Sequence, residues 1–245
     1  MGTHRAGSDR GAPSALELIA ALVVLALAGA SGALLFAVAE AGYSTFQQLG
    51  QAILLPAAAV LVLTGALAWA RRWTYLRSGL ITGAWMGAVA TVGLEIVRIV
   101  GFRVFHSMPG SLPMLMGVLL TGRIMQGPDL VSNLAGWADH FWNGAMFGVV
   151  YVLILGRRPL WVGIVYGLVL GTGFLLSPVP AALGVGLFGS QFGPGFAITV
   201  YLAHGLFGGI LGWLGLRYLP GRSAIWELLA PRRSEGNVGA LTRGA

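Results

Sequence analysis

Side chains able to bind or transfer charge are concentrated in two apolar segments near the middle of the chain. The first segment carries Glu95 and Arg98, and the second carries Asp139, His140 and Asn143. Because an ionisable side chain is costly to bury in a hydrophobic span, such residues are functional candidates by default. We therefore look for a ligand site among these five residues first.

The spacing of these residues predicts which of them share a helix face. Glu95 and Arg98 are three residues apart, which favours an intrahelical ion pair. The alternative is a carboxylate that accepts a proton or cation while Arg98 holds it in place. Asp139 and Asn143 share a face through their i, i+4 spacing. The pattern thus predicts two polar helix faces.

Two histidines occur in the same pattern, His-x3-Gly-x3-Gly, at His140 and His204. The glycines that follow allow another helix to approach closely. One interpretation is a core histidine bonded to a neighbouring backbone or hydroxyl group. An alternative is a bis-histidine haem b, in which each helix supplies one imidazole. A second alternative is a divalent-metal site formed by His140, Asp139 and Glu95.

Basic residues beside these helices suggest a second kind of surface. Arg103, His106 and Arg123 form either an outer basic mouth for an anion or a surface that contacts solvent and lipid phosphates. The sequence has no nucleophile elbow, His-Glu-x-x-His, Walker or dinucleotide motif. It also has no cysteine and no lysine, since all 15 basic residues are arginine. Thiol and Schiff-base catalysis are therefore excluded, and we expect no catalytic residue and assign no cofactor.

The composition indicates a polytopic membrane protein. Of 245 residues, 56% are hydrophobic and only 9% are charged, with a mean hydropathy of +0.80. A soluble domain has about 25% charged residues. The net charge of +7 is spread in short basic clusters beside apolar runs, which indicates contact with anionic inner-leaflet lipids and not with nucleic acid.

Six apolar segments are long enough to span a bilayer, which predicts an all-α integral membrane fold. The remaining parts are a disordered cytoplasmic lead (1–14) and a short amphipathic helix with a basic tail (223–245), on either side of one membrane domain (15–222). The predicted spans are residues 18–39, 52–70, 79–101, 130–155, 160–176 and 196–216.

The distribution of arginine predicts the orientation of these spans. With the N-terminus inside, twelve arginines lie in inner segments and three lie at or beyond the outer side. The positive-inside rule therefore predicts that both termini face the cytoplasm and that the protein lies in the cytoplasmic membrane. Residues 112–126 cover about 22 Å, short of the roughly 30 Å hydrocarbon core. They are predicted to form a re-entrant or interfacial helix on the outer side, with Ser111 as its N-cap.

Glycine spacing suggests an internal duplication. Gly83 and Gly87 recur as Gly163 and Gly167 at an offset of 80, and the two histidine motifs recur at an offset of 64. Residues 79–156 and 160–217 would then be two copies of one hairpin in the same orientation. Because repeat interfaces hold the substrate site in many transporters, the duplication favours a transport function.

Part of the chain resembles a known family. The segment Met108-Pro-Gly-Ser-Leu-Pro113 and the helix His140-x-x-Asn143-Gly144-x-x-Phe147-Gly148-x-x-Tyr151 resemble bacterial and archaeal membrane proteins of unknown function. The likeness covers roughly residues 79–216, and the first two spans lie outside it. It implies that the proline-glycine break and the histidine helix belong together, and it supplies no reaction.

These observations predict a small transport or ligand-binding module without covalent catalysis. The first alternative is a haem- or quinone-associated subunit of a membrane electron-transfer complex. The second is a structural membrane partner whose glycine faces serve only helix packing, and assembly as a homo-oligomer or within a membrane complex fits each of the three. The predicted ligand residues on the outward-facing side are Glu95, Arg98, His106, Arg123, Asp139, His140, Asn143 and His204.

Overall fold

A computed structural model describes residues 13–219 and residue 225. Within these residues the chain is all-helical and contains no β-strand. The predicted cytoplasmic lead and the C-terminal helix and tail fall almost wholly outside the described residues. The α-helices are α1 (Ala15–Ala30), α2 (Ala33–Glu40), α3 (Phe46–Leu49), α4 (Leu55–Ala70), α5 (Thr74–Arg103), α6 (Leu112–Leu120), α7 (Leu130–Ile154), α8 (Leu160–Leu176), α9 (Val179–Ala182) and α10 (Pro194–Tyr218).

Several of these helices have the length and composition of membrane spans. Among the described residues, the continuous helix Phe46–Ala70, α5 and α10 are each long and apolar enough to cross a bilayer, and the bent pair α1–α2 is a fourth if it is one span. Helix α7 has the same length as α10, but its polar residues, which include Asp139 and His140, lower its hydropathy. These features are those of a membrane protein, as the composition predicts.

The first apolar run is interrupted, which corrects the expectation of one helix over 18–39. Helix α1 ends at Ala30 and α2 begins at Ala33, with a bend of 40° between them. The Ser31 N–H closes α1 by bonding to Leu27 O at 2.8 Å. Gly32 then adopts an extended conformation that ends the helical ladder. The break allows α2 to follow a direction of its own.

The second helical segment begins earlier than its apolar run. Thr45 and Gln48 form a capping box at the start of α3. Helix α3 then continues through a π-helical turn, Gly50–Leu54, into α4. The π turn ends two residues before Pro56, whose missing N–H removes one bond from the helical ladder. The helix therefore extends six residues beyond the predicted start at residue 52.

Two helix pairs form the centre of the bundle, α5 with α7 and α8 with α10, and α5 joins them by packing against α10. Glycines bring the backbones of each pair into contact. A Cβ atom added to Gly87 would lie 2.8 Å from the carbonyl carbon of Gly144, and one added to Gly167 would lie 2.9 Å from the nitrogen of Gly208. Only glycine fits at such close approaches, so the spacing of each pair is set by its main chain.

Helix α6 lies against α7 through a similar contact. A Cβ atom on Gly136 would lie 2.9 Å from the Cα of Gly117. Ser111 caps α6 as predicted, because its hydroxyl accepts a bond from the Met114 N–H at 3.4 Å. The helix is shorter than the segment 112–126, since it ends at Leu120 and the chain turns at Gly122 with a positive φ of 67°.

Candidate functional site

A cavity of about 500 Å³ lies between α2, α5, α6, α7, α8 and α10. Its volume is within the range of small-molecule sites, about 300–1,000 Å³. Most of its wall is apolar, formed by Leu, Val, Phe, Met and Ala side chains. The polar residues in the wall are Thr91, Arg98, His140, Asn143, Ser177 and His204.

Glu95 connects two of these polar residues. The Arg98 guanidinium donates through Nη1 to Glu95 Oε1 in the predicted i, i+3 ion pair. His140 Nε2, from α7, lies 2.9 Å from the same oxygen. That distance is within ion-pair range, although the ring lies off the direction needed for a hydrogen bond. Arg98 and His140 line the cavity and Glu95 does not. The Glu95 carboxylate therefore lies behind the wall and contacts two potential donors that are part of it.

Asp139 and Asn143 share a face of α7, as their spacing predicts. Asn143 Nδ2 donates to Asp139 Oδ2 at 3.3 Å. Asn143 lines the cavity, whereas Asp139 is buried beside it and does not. Among the described residues, Asn143 Oδ1 is buried without a hydrogen-bond partner. An unpaired buried acceptor is uncommon in proteins, and here it marks the polar side of the cavity.

His204 lies on the opposite wall, on α10. Its Nδ1 is 2.8 Å from the carbonyl oxygen of Val200. Because a carbonyl oxygen only accepts, Nδ1 carries a proton, and in its neutral form the ring keeps a lone pair on Nε2. The ring stacks on Phe174, with the centroids 6.2 Å apart and the planes 24° apart. His204 is therefore a fixed imidazole that can offer an acceptor nitrogen.

Two predicted ligand residues lie away from the cavity. His106 is exposed in the connection between α5 and α6 and has a positive φ of 51°. Arg123 Nε lies 3.3 Å from Asp129 Oδ2, and both side chains are partly exposed. Asp129 also caps α7 by accepting the Ser132 N–H at 2.8 Å. The structure therefore does not bring His106 and Arg123 to the cavity with the other candidates.

A smaller cavity of about 230 Å³ adjoins the first. It is bounded by the connection that leads into α6, including Pro109, Gly110 and Ser111. Arg98 is the only charged residue that lines both cavities among the described residues. Arg98 therefore lies at the boundary between the larger, mainly apolar cavity and the smaller, more polar one.

Sequence reasoning missed two parts of the wall. Helix α2 contributes Phe36 and Ala37, because the break after α1 turns it toward the cavity. The connection over 178–194, which lies between the predicted fifth and sixth spans, contains α9, which packs against α2 and places Val179 in the wall. The Ser31-Gly32 pair is the sequence signal of the break, because glycine ends helices readily. In the connection before α10, the signal for α9 is Pro180 in its first turn, where proline is favoured.

The positions of the carboxylates and histidines bear on the metal and haem alternatives. Among the described residues, no group of three histidine, aspartate or glutamate side chains is placed to hold a metal ion. The divalent-metal site expected from Glu95, Asp139 and His140 is therefore not supported. For a bis-histidine haem, the neutral form of His204 offers Nε2, but His140 Nε2 lies 2.9 Å from Glu95 Oε1. That ring would have to leave its carboxylate before it could bind iron.

Comparison with known proteins assigns no function to this cavity. No family model, curated protein or solved structure matches the chain. The chemistry of the site therefore follows from the residues that form it.

Proposed function

We propose that the protein is a multi-pass protein of the cytoplasmic membrane that binds a small ligand in the larger cavity, as a transport or ligand-binding module. The observation that carries the proposal is the grouping of Glu95, Arg98 and His140 at a mainly apolar cavity. A charged pair is expensive to bury and adds little stability compared with well-packed apolar side chains. The pair lies at the cavity with Arg98 in the wall and Glu95 directly behind it, which supports a role in binding.

The proposal includes a six-span topology with both termini in the cytoplasm. The spans are α1–α2, α3–α4, α5, α7, α8 and α10. Helix α6 has nine residues and a length of about 14 Å at 1.5 Å per residue, which suits a re-entrant or interfacial helix on the outer side. A reporter fused after Arg158 is then expected to be cytoplasmic, and an external reporter would contradict this topology.

We include the hairpin duplication in the same proposal. The two pairs Gly87–Gly144 and Gly167–Gly208 occur at the predicted offsets, and each makes a backbone contact between the two helices of its hairpin. The cavity is lined by both hairpins, since Arg98 comes from one and His204 from the other. A site between two repeats is the usual arrangement in transporters that have internal repeats.

The binding function is tested without knowing the ligand. Native mass spectrometry of the protein, extracted from its membrane in mild detergent, is expected to show a bound small molecule that is lost in Glu95→Gln and in His140→Ala. The matched control is His106→Ala, which removes a histidine outside the cavity and is expected to keep the adduct. Folding of each variant is followed by size-exclusion chromatography. Adducts unchanged in both site variants would overturn the proposal.

The alternative of a haem- or quinone-associated electron-transfer subunit is favoured by one observation, that His140 and His204 line the same cavity. An absorbance spectrum of protein expressed with adequate haem tests the haem form of this alternative. A Soret band that disappears in His204→Ala would replace our proposal with this alternative. Absence of the Soret band would exclude the haem form. Native mass spectrometry would then test whether a quinone is bound.

A further inference from the structure

The larger cavity has an opening on its side. Two residues of its wall are also exposed on the outer surface of the bundle, Leu34 of α2 at 58% and Val169 of α8 at 61%. Gly173, one turn after Val169, lines the cavity and is exposed as well. A Cβ atom added at Gly173 would meet no heavy atom within 4 Å. The cavity therefore reaches the surface between α2 and α8.

The opening exists because α2 and α8 pack mainly against other helices. Helix α2 lies against α1, α3 and α9, and α8 lies against α10 and α9. The residues at the opening are Leu34, Val169 and Gly173, all without charge. If the bundle lies in a bilayer, as the proposed function requires, an apolar opening on its side faces lipid hydrocarbon.

We propose that the cavity takes a single-chain amphiphile with an oxyanion head, a carboxylate or a phosphate, which enters sideways from the bilayer between α2 and α8. This inference rests on the proposed function and adds the class of ligand and its route. The head binds at Arg98 and the tail lies against the apolar wall that includes Phe36, Phe147 and Phe207.

We infer an oxyanion head group from the hydrogen-bonding capacity of Arg98. A guanidinium has five N–H donors in a planar fork that matches carboxylate and phosphate oxygens. The bond to Glu95 uses Nη1, and the side chain still borders both cavities. Glu95 is also approached by His140 Nε2, so two potential donors share one carboxylate. The N–H groups of Arg98 that do not bond to Glu95 would donate to one further oxyanion.

The position of Arg98 also sets the direction of the ligand. The larger cavity on one side of Arg98 is mainly apolar, and the smaller cavity on the other side is also lined by Ser111 and by the half-buried Gly110. An amphiphile that enters beside Leu34 and Val169 meets the apolar chamber with its tail and Arg98 with its head. A fully water-soluble anion would have no partner for most of this wall, since burial of apolar area is what stabilises binding there.

The experiment uses the full chain in phosphatidylcholine nanodiscs with two photoreactive probes, palmitic acid and lysophosphatidic acid, each with a diazirine in its chain. Labelled peptides are expected to come from the cavity wall on α7, α8 and α10. Arg98→Gln is expected to lose this labelling for at least one of the probes. Gly173→Leu places a side chain in the opening and is expected to slow labelling by both.

The matched control is Gly29→Leu. Gly29 is also a helical glycine with no heavy atom within 4 Å of an added Cβ atom, and it does not line the cavity. Its labelling is expected to equal that of the unmodified chain. Equal labelling rates in Gly173→Leu and Gly29→Leu would overturn entry between α2 and α8.

Further outcomes separate this inference from the proposed function. Labelling of the cavity by palmitic acid alone assigns a carboxylate head, and labelling by lysophosphatidic acid alone assigns a phosphate head. If neither probe labels the cavity while the native adduct still depends on Glu95 and His140, the amphiphile is overturned and the site stands. Complete competition by hexanoic acid, at the same concentration as the probe, would overturn the requirement for a long chain.

Discussion

The indole nitrogen of Trp142 donates a hydrogen bond to the carbonyl oxygen of Ser31, 3.0 Å away, at the break between α1 and α2. Ser31 is fully buried. The next residue of α7, Asn143, lines the cavity, and its Oδ1 lies 3.8 Å from the position of a Cβ atom added to Gly32. One aromatic side chain of α7 thus holds the end of α1 beside the polar residues of the cavity and fixes where α2 begins.

Trp142→Phe is expected to weaken both stability and ligand binding. The phenyl ring keeps most of the packing but leaves the Ser31 carbonyl without its indole donor, a loss of about 1 kcal/mol. Thermal unfolding in nanodiscs measures the first effect and probe labelling of the cavity measures the second. Trp161→Phe is the control, because that indole is 64% exposed on α8. Equal melting temperatures for the two variants would contradict the role of Trp142.

Glu17 of α1 caps the start of α5, and its removal is expected to destabilise the fold. Its Oε1 accepts the Leu76 N–H at 3.0 Å, and both residues are buried. Glu17→Ala leaves that N–H unpaired, at a cost of about 1–3 kcal/mol. Glu17→Gln keeps an acceptor oxygen and is expected to lose less. A glutamine variant as unstable as the alanine variant would show that charge, and not the hydrogen bond, is what matters.

A single methyl group between α5 and α7 is expected to be harmful. In Gly87→Ala the new Cβ atom would lie 2.8 Å from the Gly144 carbonyl carbon and 2.9 Å from the Ala145 Cα. Main-chain atoms cannot rotate away, so the helices must separate, with an expected loss of about 1–3 kcal/mol. The same change at Gly29, which has open space around it, is the control. The yield of monodisperse protein and the melting temperature measure the difference.

Glu95 and Arg98 are expected to be coupled in stability. Glu95→Leu leaves the Arg98 charge buried beside the cavity, a change that costs about 3–5 kcal/mol for a buried pair. The double variant Glu95→Leu/Arg98→Leu removes both charges and is expected to be more stable than Glu95→Leu alone. A double-mutant cycle of unfolding free energies measures this coupling. Additive effects would mean that the two side chains do not depend on each other.

The cap of α7 predicts a loss of stability in acid. Hydrogen bonds from Ser132, mainly from its backbone N–H, hold the pKa of Asp129 below its usual value, and Arg123 acts in the same direction. A carboxyl group with a lower pKa in the folded state stabilises the fold above its unfolded pKa, about 3.9. That contribution disappears as the pH falls through the folded pKa. The acid dependence of unfolding is expected to be smaller in Asp129→Asn, which keeps a capping oxygen without the charge.

The sequence predicted the all-helical class, the approximate ends of several helices and two side-chain pairs. Helix α8 has the predicted ends, residues 160–176, and α5, α7 and α10 differ from their predicted ends by a few residues, because hydrophobic runs and helix caps are local properties of the chain. Helical spacing was also enough to pair Glu95 with Arg98 and Asp139 with Asn143.

The parts that the sequence did not predict depend on contacts distant in the chain. The break at Ser31 is stabilised by Trp142, which is 111 residues away. The approach of His140 to Glu95 needs the close packing of α5 on α7. The sequence predicts His106 and Arg123 as ligand residues because both are basic and lie near Glu95 and His140 along the chain. The fold places one in an exposed connection and the other beside Asp129.

The glycine contacts within the two helix pairs have a consequence for ligand selection. A contact made by main-chain atoms has no alternative rotamers. The distance between α5 and α7 therefore cannot change to accommodate a wider ligand. Helix α2 follows a two-residue break and is anchored at that end by one indole. The α5–α7 and α8–α10 pairs are therefore the parts of the cavity wall whose internal spacing is fixed by main-chain contacts, whereas α2 joins the wall through side-chain packing.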